Sequence, residues 1–103
     1  MAVENIIVDR GQGVAQVTLN RPAQMNPLDW STVKALLAAF RDMEADRSLR
    51  VVVITGSGKA FSAGGDLAGY MALYRRPEDF RGFLEDLYAL LDLLEKSDKV
   101  IIA

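Results

Sequence analysis

Val51-Val52-Val53-Ile54-Thr55-Gly56-Ser57-Gly58-Lys59-Ala60-Phe61-Ser62-Ala63-Gly64-Gly65-Asp66-Leu67 is the stretch on which the reading of the fold turns. Arg50 to Thr55 is a β-branched run without polar alternation. That pattern predicts a strand covered on both faces, as in a parallel sheet. Gly56 to Ala60 then reads as a loop, and Phe61 to Asp66 as a second tight turn. A short helix is expected from Asp66 or Leu67 to about Tyr74. Two glycines thus sit between a strand and a helix start. Glycine lets backbone N–H groups come close to a ligand. The first N–H groups of a helix also carry partial positive charge. Such a turn can hold an oxyanion without a charged side chain. A tight strand-to-helix connection with no ligand would have the same local sequence. Two phosphate-binding readings fail. A P-loop needs Gly six positions before the Lys and Ser or Thr after it; Val53 and Ala60 stand there. A dinucleotide fingerprint starting at Gly56 needs Gly where Phe61 stands, and one starting at Gly11 needs it where Gln16 stands.

Working outward, Asn5 to Asn20 reads as a hairpin. Ile6-Ile7-Val8 and Val14 to Leu19 are the strands, and Arg10-Gly11-Gln12-Gly13 is the turn cluster. Pro22 ends the second strand because it cannot donate to a ladder. Ala23 to Leu28 is expected to be a loop, extended at Asn26 because Pro27 follows. Asp29 or Ser31 can cap a helix. Val33, Leu36, Leu37, Phe40 and Met43 then mark its apolar face, and it should end near Ala45. Downstream, Arg75-Arg76-Pro77 breaks the short helix. Glu78 and Asp79 suit the first turn of a new one. Phe80, Phe83, Leu84, Leu87, Leu90, Leu91 and Leu94 give that helix an amphipathic stripe, expected to be core. After a turn at Ser97-Asp98-Lys99, Val100 to Ala103 reads as another buried strand. A last element of that kind leads us to expect the N-terminal part of something larger.

The chain has 103 residues, enough for one compact domain. Half of it is apolar and a quarter charged, as in ordinary globular proteins. The net charge of −2 gives no bulk basic footprint, so neither nucleic acid nor an anionic membrane is expected as a partner. Cys and His are both absent. That excludes disulfides, thiolate nucleophiles, Ser-His-Asp catalysis and Cys- or His-ligated metals within this chain. Acid–base work here would fall to Asp, Glu, Lys or Tyr. No apolar run approaches the ~20 residues of a membrane helix. Met1 to Asn5 lacks a basic segment leading into a long apolar one. Cytoplasmic residence is the expectation.

The segment Val51 to Leu67, VVVITGSGKAFSAGGDL, resembles the signature of the crotonase (enoyl-CoA hydratase/isomerase) superfamily. Asn20 to Leu28, NRPAQMNPL, resembles that family's coenzyme A-binding loop. The opening hairpin, the long helix and the final Lys99-Val100-Ile101-Ile102-Ala103 fall in the family's order. The resemblance implies an α/β crotonase fold, a spiral of ββα units, with residues 1–103 forming its N-terminal portion. It implies trimers or dimers of trimers for the complete protein. It also implies an acyl-CoA substrate and no prosthetic group, coenzyme A entering only as part of the thioester.

Site residues follow from the same resemblance. Gly65 matches the first of two backbone N–H donors to the thioester oxygen. Ala63 matches a position whose carbonyl contacts adenine, and Gly64 lies in the same turn. Asp66, Leu67 and Ala68 match the turn that lines the thioester. Gln24 and Met25 match the loop along the pantetheine arm. Lys59 and Arg21 are candidates for the coenzyme's phosphates, with solvated surface as the plain alternative. Tyr70, Met71 and Tyr74 either shape the acyl pocket or pack as core. Trp30 is expected to pack the first helix rather than bind adenine. Asp29, Asp66, Glu78 and Asp79 are available carboxylates, but caps and first-turn charges account for them. The second donor and the acid–base residues are expected after Ala103. Hydration of a trans-2-enoyl-CoA to a 3-hydroxyacyl-CoA is the expected reaction. Isomerisation, decarboxylation, thioester hydrolysis or dehalogenation are the near alternatives. A non-catalytic interaction module on the same fold is the distant one.

Overall fold

A computed structural model describes residues 5–62, 64–65 and 67–103. Strands β1 (Ile6–Gly11) and β2 (Val14–Leu19) form an antiparallel hairpin. A 3-10 turn at Pro22–Gln24 leads to the two-residue strand β3 (Pro27–Leu28) and then to helix α1 (Trp30–Ala45). Strand β4 (Val51–Gly56), strand β5 (Gly64–Gly65), helices α2 (Leu67–Tyr74) and α3 (Pro77–Lys96) and strand β6 (Val100–Ile102) complete the order. The main sheet has four strands in the order β1-β2-β4-β6, with β4 parallel to both neighbours. β3 and β5 pair in parallel as a separate small sheet.

The hairpin closes on Gln12 and Gly13, at φ 54° and 81°. Two consecutive positive φ values are what a tight hairpin loop requires of its central residues. Arg10 and Gly11 therefore belong to β1, not to the turn. Asp29 is the cap of α1, its side chain accepting the Thr32 N–H at 3.1 Å. The five residues of the predicted apolar face are all buried, Met43 completely. They pack on Ala15, Val17, Leu19 and Val52, which point from the sheet to the same side. Burying each such side chain stabilises the fold by roughly 1.5–3 kcal/mol. Past α1, the Lys99 ammonium donates to the carbonyls of Asp46 and Leu49, both at 2.8 Å. This ties β6 to the connection between α1 and β4.

The structure differs from the sequence-based expectation in further places. Ala23 to Leu28 is not simply loop: it contains the 3-10 turn and β3. Asn26 is not extended but left-handed, at φ 53°. β4 is fully buried only at Val52, while Val51, Val53 and Ile54 are partly buried. β6 is the last strand of the sheet among the described residues, with Val100 and Ile102 exposed. The α3 stripe is also shallower than its periodicity suggests. Phe83 and Leu90 are buried, but Leu91 is half exposed.

Candidate functional site

The β3–β5 bridge pairs Pro27 with Gly64 and Leu28 with Gly65. It brings the Asn20–Leu28 motif against the end of the Val51–Leu67 motif. Asn26 organises the junction. It is 2% exposed. Its Oδ1 accepts the Arg21 N–H at 2.8 Å, and its Nδ2 donates to the carbonyls of Ser57 and Ala60 at 3.0 and 2.9 Å. One side chain therefore closes its own loop and fastens it to the loop after β4. Its carbonyl accepts the Ser62 hydroxyl at 2.7 Å, and the Gly64 N–H donates to that same hydroxyl oxygen at 3.0 Å. Met25 and Asn26 turn the chain at consecutive positive φ, a conformation that asparagine tolerates better than most residues.

The two β5 positions suit glycine for different reasons. Gly64 sits at φ 91°, where a side chain would be strained. At Gly65 a Cβ would lie 2.5 Å from Tyr70 Cε2. The Tyr70 ring stands where a side chain at 65 would project and leans on Phe83, ring centroids 4.9 Å apart. Its hydroxyl donates to the Leu28 carbonyl at 2.9 Å.

Around this centre, Gln24 and Arg21 line a cleft of about 280 Å³ together with Asn5, Asn20, Pro22 and Ala23. Met25 is half exposed beside it. The Arg21 guanidinium pairs with Asp29 at 2.6 Å. Burial alone would raise the Asp29 carboxyl. The Thr32 hydrogen bonds, Arg21 and Ser31 outweigh it and hold the group below the usual carboxylate range. Lys59 is exposed on the loop that Asn26 anchors. Leu67 and Ala68 open α2. Ala63 and Asp66 lie outside the described residues. Met71 and Tyr74 are exposed, so core packing does not explain them. Tyr74 and Phe80 instead border a groove of about 580 Å³ with Pro77, Arg81 and Leu84. Trp30 packs as expected: its indole donates to Asp86 at 2.8 Å, and the Lys34 ammonium lies 4.1 Å from its ring centroid. Among the described residues no acidic cluster could hold a metal, and no helix is long and apolar enough to cross a membrane.

Residues 9–103 match the family model described as enoyl-CoA hydratase/isomerase. The chain belongs to the enoyl-CoA hydratase/isomerase family. A solved enoyl-CoA hydratase of Mycobacterium smegmatis superposes on 96% of the chain at a TM-score of 0.87 and 32% identity, the chain covering 38% of it. A Thermus thermophilus relative with the provisional name enoyl-CoA hydratase is 54% identical over 61 residues, 59% of this chain and 24% of the relative. An Arabidopsis thaliana 3-hydroxyisobutyryl-CoA hydrolase is 41% identical over 73 residues, 66% of this chain and 19% of the relative. The chain thus spans well under half of the relatives it matches. The fold is crotonase, as the resemblance implied, and the family's chemistry is acyl-CoA chemistry.

Within this crotonase chain, Asn26, Ser62 and the Tyr70 hydroxyl are the residues that sequence reasoning did not assign to the site. For Asn26 a signal existed. An Asn before Pro is barred from the right-handed helical region, and Asn is one of the few residues at ease in the left-handed one. Ser62 and the Tyr70 hydroxyl act on carbonyls more than thirty-five positions away, so nothing local marks them.

Proposed function

We propose that this chain is the N-terminal portion of an enoyl-CoA hydratase, which adds water to C3 of a trans-2-enoyl-CoA to give a 3-hydroxyacyl-CoA. The observation that carries the reading is the β3–β5 bridge, which sets the coenzyme-loop motif beside Gly65. Addition of water drives negative charge onto the thioester oxygen. A preorganised N–H at Gly65 stabilises that charge, and losing one such donor costs on the order of 3 kcal/mol of barrier. Gln24 and Met25 lie along the pantetheine arm. Ala63, Gly64, Asp66, Leu67 and Ala68 line the thioester and adenine side. Lys59 and Arg21 face the phosphates, with Arg21 sharing its charge with Asp29. The second donor and the acid–base groups belong to the remainder of the protein, which works in the cytoplasm as a trimer or a dimer of trimers. Thioester hydrolysis is the second reading, favoured by the name of the Arabidopsis relative.

The test is crotonyl-CoA turnover by the full-length protein, with hydration and free-thiol release followed separately. Gly65→Pro removes the N–H and should abolish hydration while coenzyme A binding persists. Retained turnover in that variant sinks the assignment of Gly65. Thiol release in place of hydration by the unaltered protein replaces the first reading with the second.

A further inference from the structure

We propose that Tyr70 is the positioning residue of the Gly65 donor, and that positions 65 and 70 form a matched pair. The inference rests on the reading above, in which the Gly65 N–H receives the thioester oxygen. β5 is only two residues long and its partner β3 contains a proline, so the ladder by itself supplies few backbone bonds. Two side chains make up the difference. Ser62 holds the entry to β5 through the Asn26 carbonyl and the Gly64 N–H. Tyr70 holds the other end. Its hydroxyl bonds to the Leu28 carbonyl, on the residue paired with Gly65, and its ring occupies the space above Gly65 itself. The ring is backed in turn by Phe83, which is 2% exposed and anchored in α3. Gly65 thus has β3 on one side and, where a side chain would project, a tyrosine ring that is backed by Phe83 and tied to Leu28.

This makes a specific demand on position 65. A methyl group there would meet ring atoms at 2.5 to 2.9 Å. Either the ring moves, and with it the bond to Leu28, or β5 moves, and with it the N–H. Gly65→Ala keeps the N–H, so any loss of turnover in that variant reports position and not removal of the donor. Displacements of about 1 Å at a reacting centre cost about 100-fold in rate.

The experiment is a double-mutant cycle in the full-length protein, with kcat and KM for crotonyl-CoA and the melting temperature measured for each variant. Gly65→Ala should lower kcat by about 100-fold with KM changed far less. Tyr70→Ala placed in the Gly65→Ala background should raise kcat again, because it opens the space that the methyl needs. Tyr70→Phe keeps the ring, removes only the hydroxyl, and should lower kcat several-fold at unchanged KM. Strictly additive losses in kcat, or a Tyr70→Phe variant equal to the unaltered protein, would overturn the proposal. Should the unaltered protein turn over no enoyl thioester, the proposed function falls by itself. The pair is then decided by melting temperature: recovery in the double variant supports it, and additive loss overturns it.

Discussion

Replacing Asn26 by alanine tests how much of the site depends on one buried amide. The substitution strips partners from the Arg21 N–H and from the Ser57 and Ala60 carbonyls, bonded at 2.8, 3.0 and 2.9 Å. Each bond contributes about 1 kcal/mol net, and leaving a buried partner unsatisfied adds to the loss. Position 26 also sits at φ 53°, where an ordinary L-residue is strained by about 1 kcal/mol. The expected destabilisation is therefore about 4 kcal/mol, a large part of what holds a typical domain folded. Asn26→Gly loses the same bonds but relieves the backbone, and should recover about 1 kcal/mol relative to alanine. Asn26→Asp turns the Nδ2 donor into an acceptor facing two carbonyls, and should be as damaging as alanine. Urea unfolding of the full-length protein, followed by circular dichroism at fixed concentration, ranks the three. The KM for the acyl-CoA should rise in any variant that still folds, because the loop bearing Gln24 and Met25 loses its tether. An alanine variant within about 1 kcal/mol of the unaltered protein would refute the accounting from hydrogen bonds. A glycine variant no better than alanine would refute the part assigned to backbone conformation.

Asp29→Ala removes the cap of α1 and should cost about 1 kcal/mol at pH 7. Because the folded protein holds this carboxyl below its ordinary range, its contribution is complete above about pH 4 and fades as the pH falls further. The stability gap between variant and parent should therefore close in acid, and a gap that persists unchanged at pH 2 would contradict the ionised cap. Lys59→Ala should weaken coenzyme A binding several-fold at low salt and little at high salt, as expected for an exposed charge facing a polyanion. Calorimetric titration at two ionic strengths reads the difference, and equal affinities for variant and parent at low salt would remove Lys59 from the phosphate site.

The sequence by itself determined the elements whose signals repeat along the chain. The hairpin, α1, β4 and α3 appear where periodicity, caps and breakers put them, because those patterns depend on neighbours within a turn or a strand. The stop at Arg75-Arg76-Pro77 and the acidic first turn of α3 are legible for the same reason. The two glycines between strand and helix were visible as a place where backbone donors can meet a ligand, although only the family resemblance gave that turn a substrate. Depth was not legible. Leu91 and Ile102 carry the same apolar character as Leu90 and Ile101, yet they are exposed, since burial is decided by which elements come to lie above a face. β3 also had to await the tertiary structure. Two residues carry no period, one of them is a proline, and the partner strand is a pair of glycines from beyond α1 and β4. Asn26, Ser62 and Tyr70 share that origin. Each acts on groups distant in sequence, so their roles exist only once the chain has brought the two loops together.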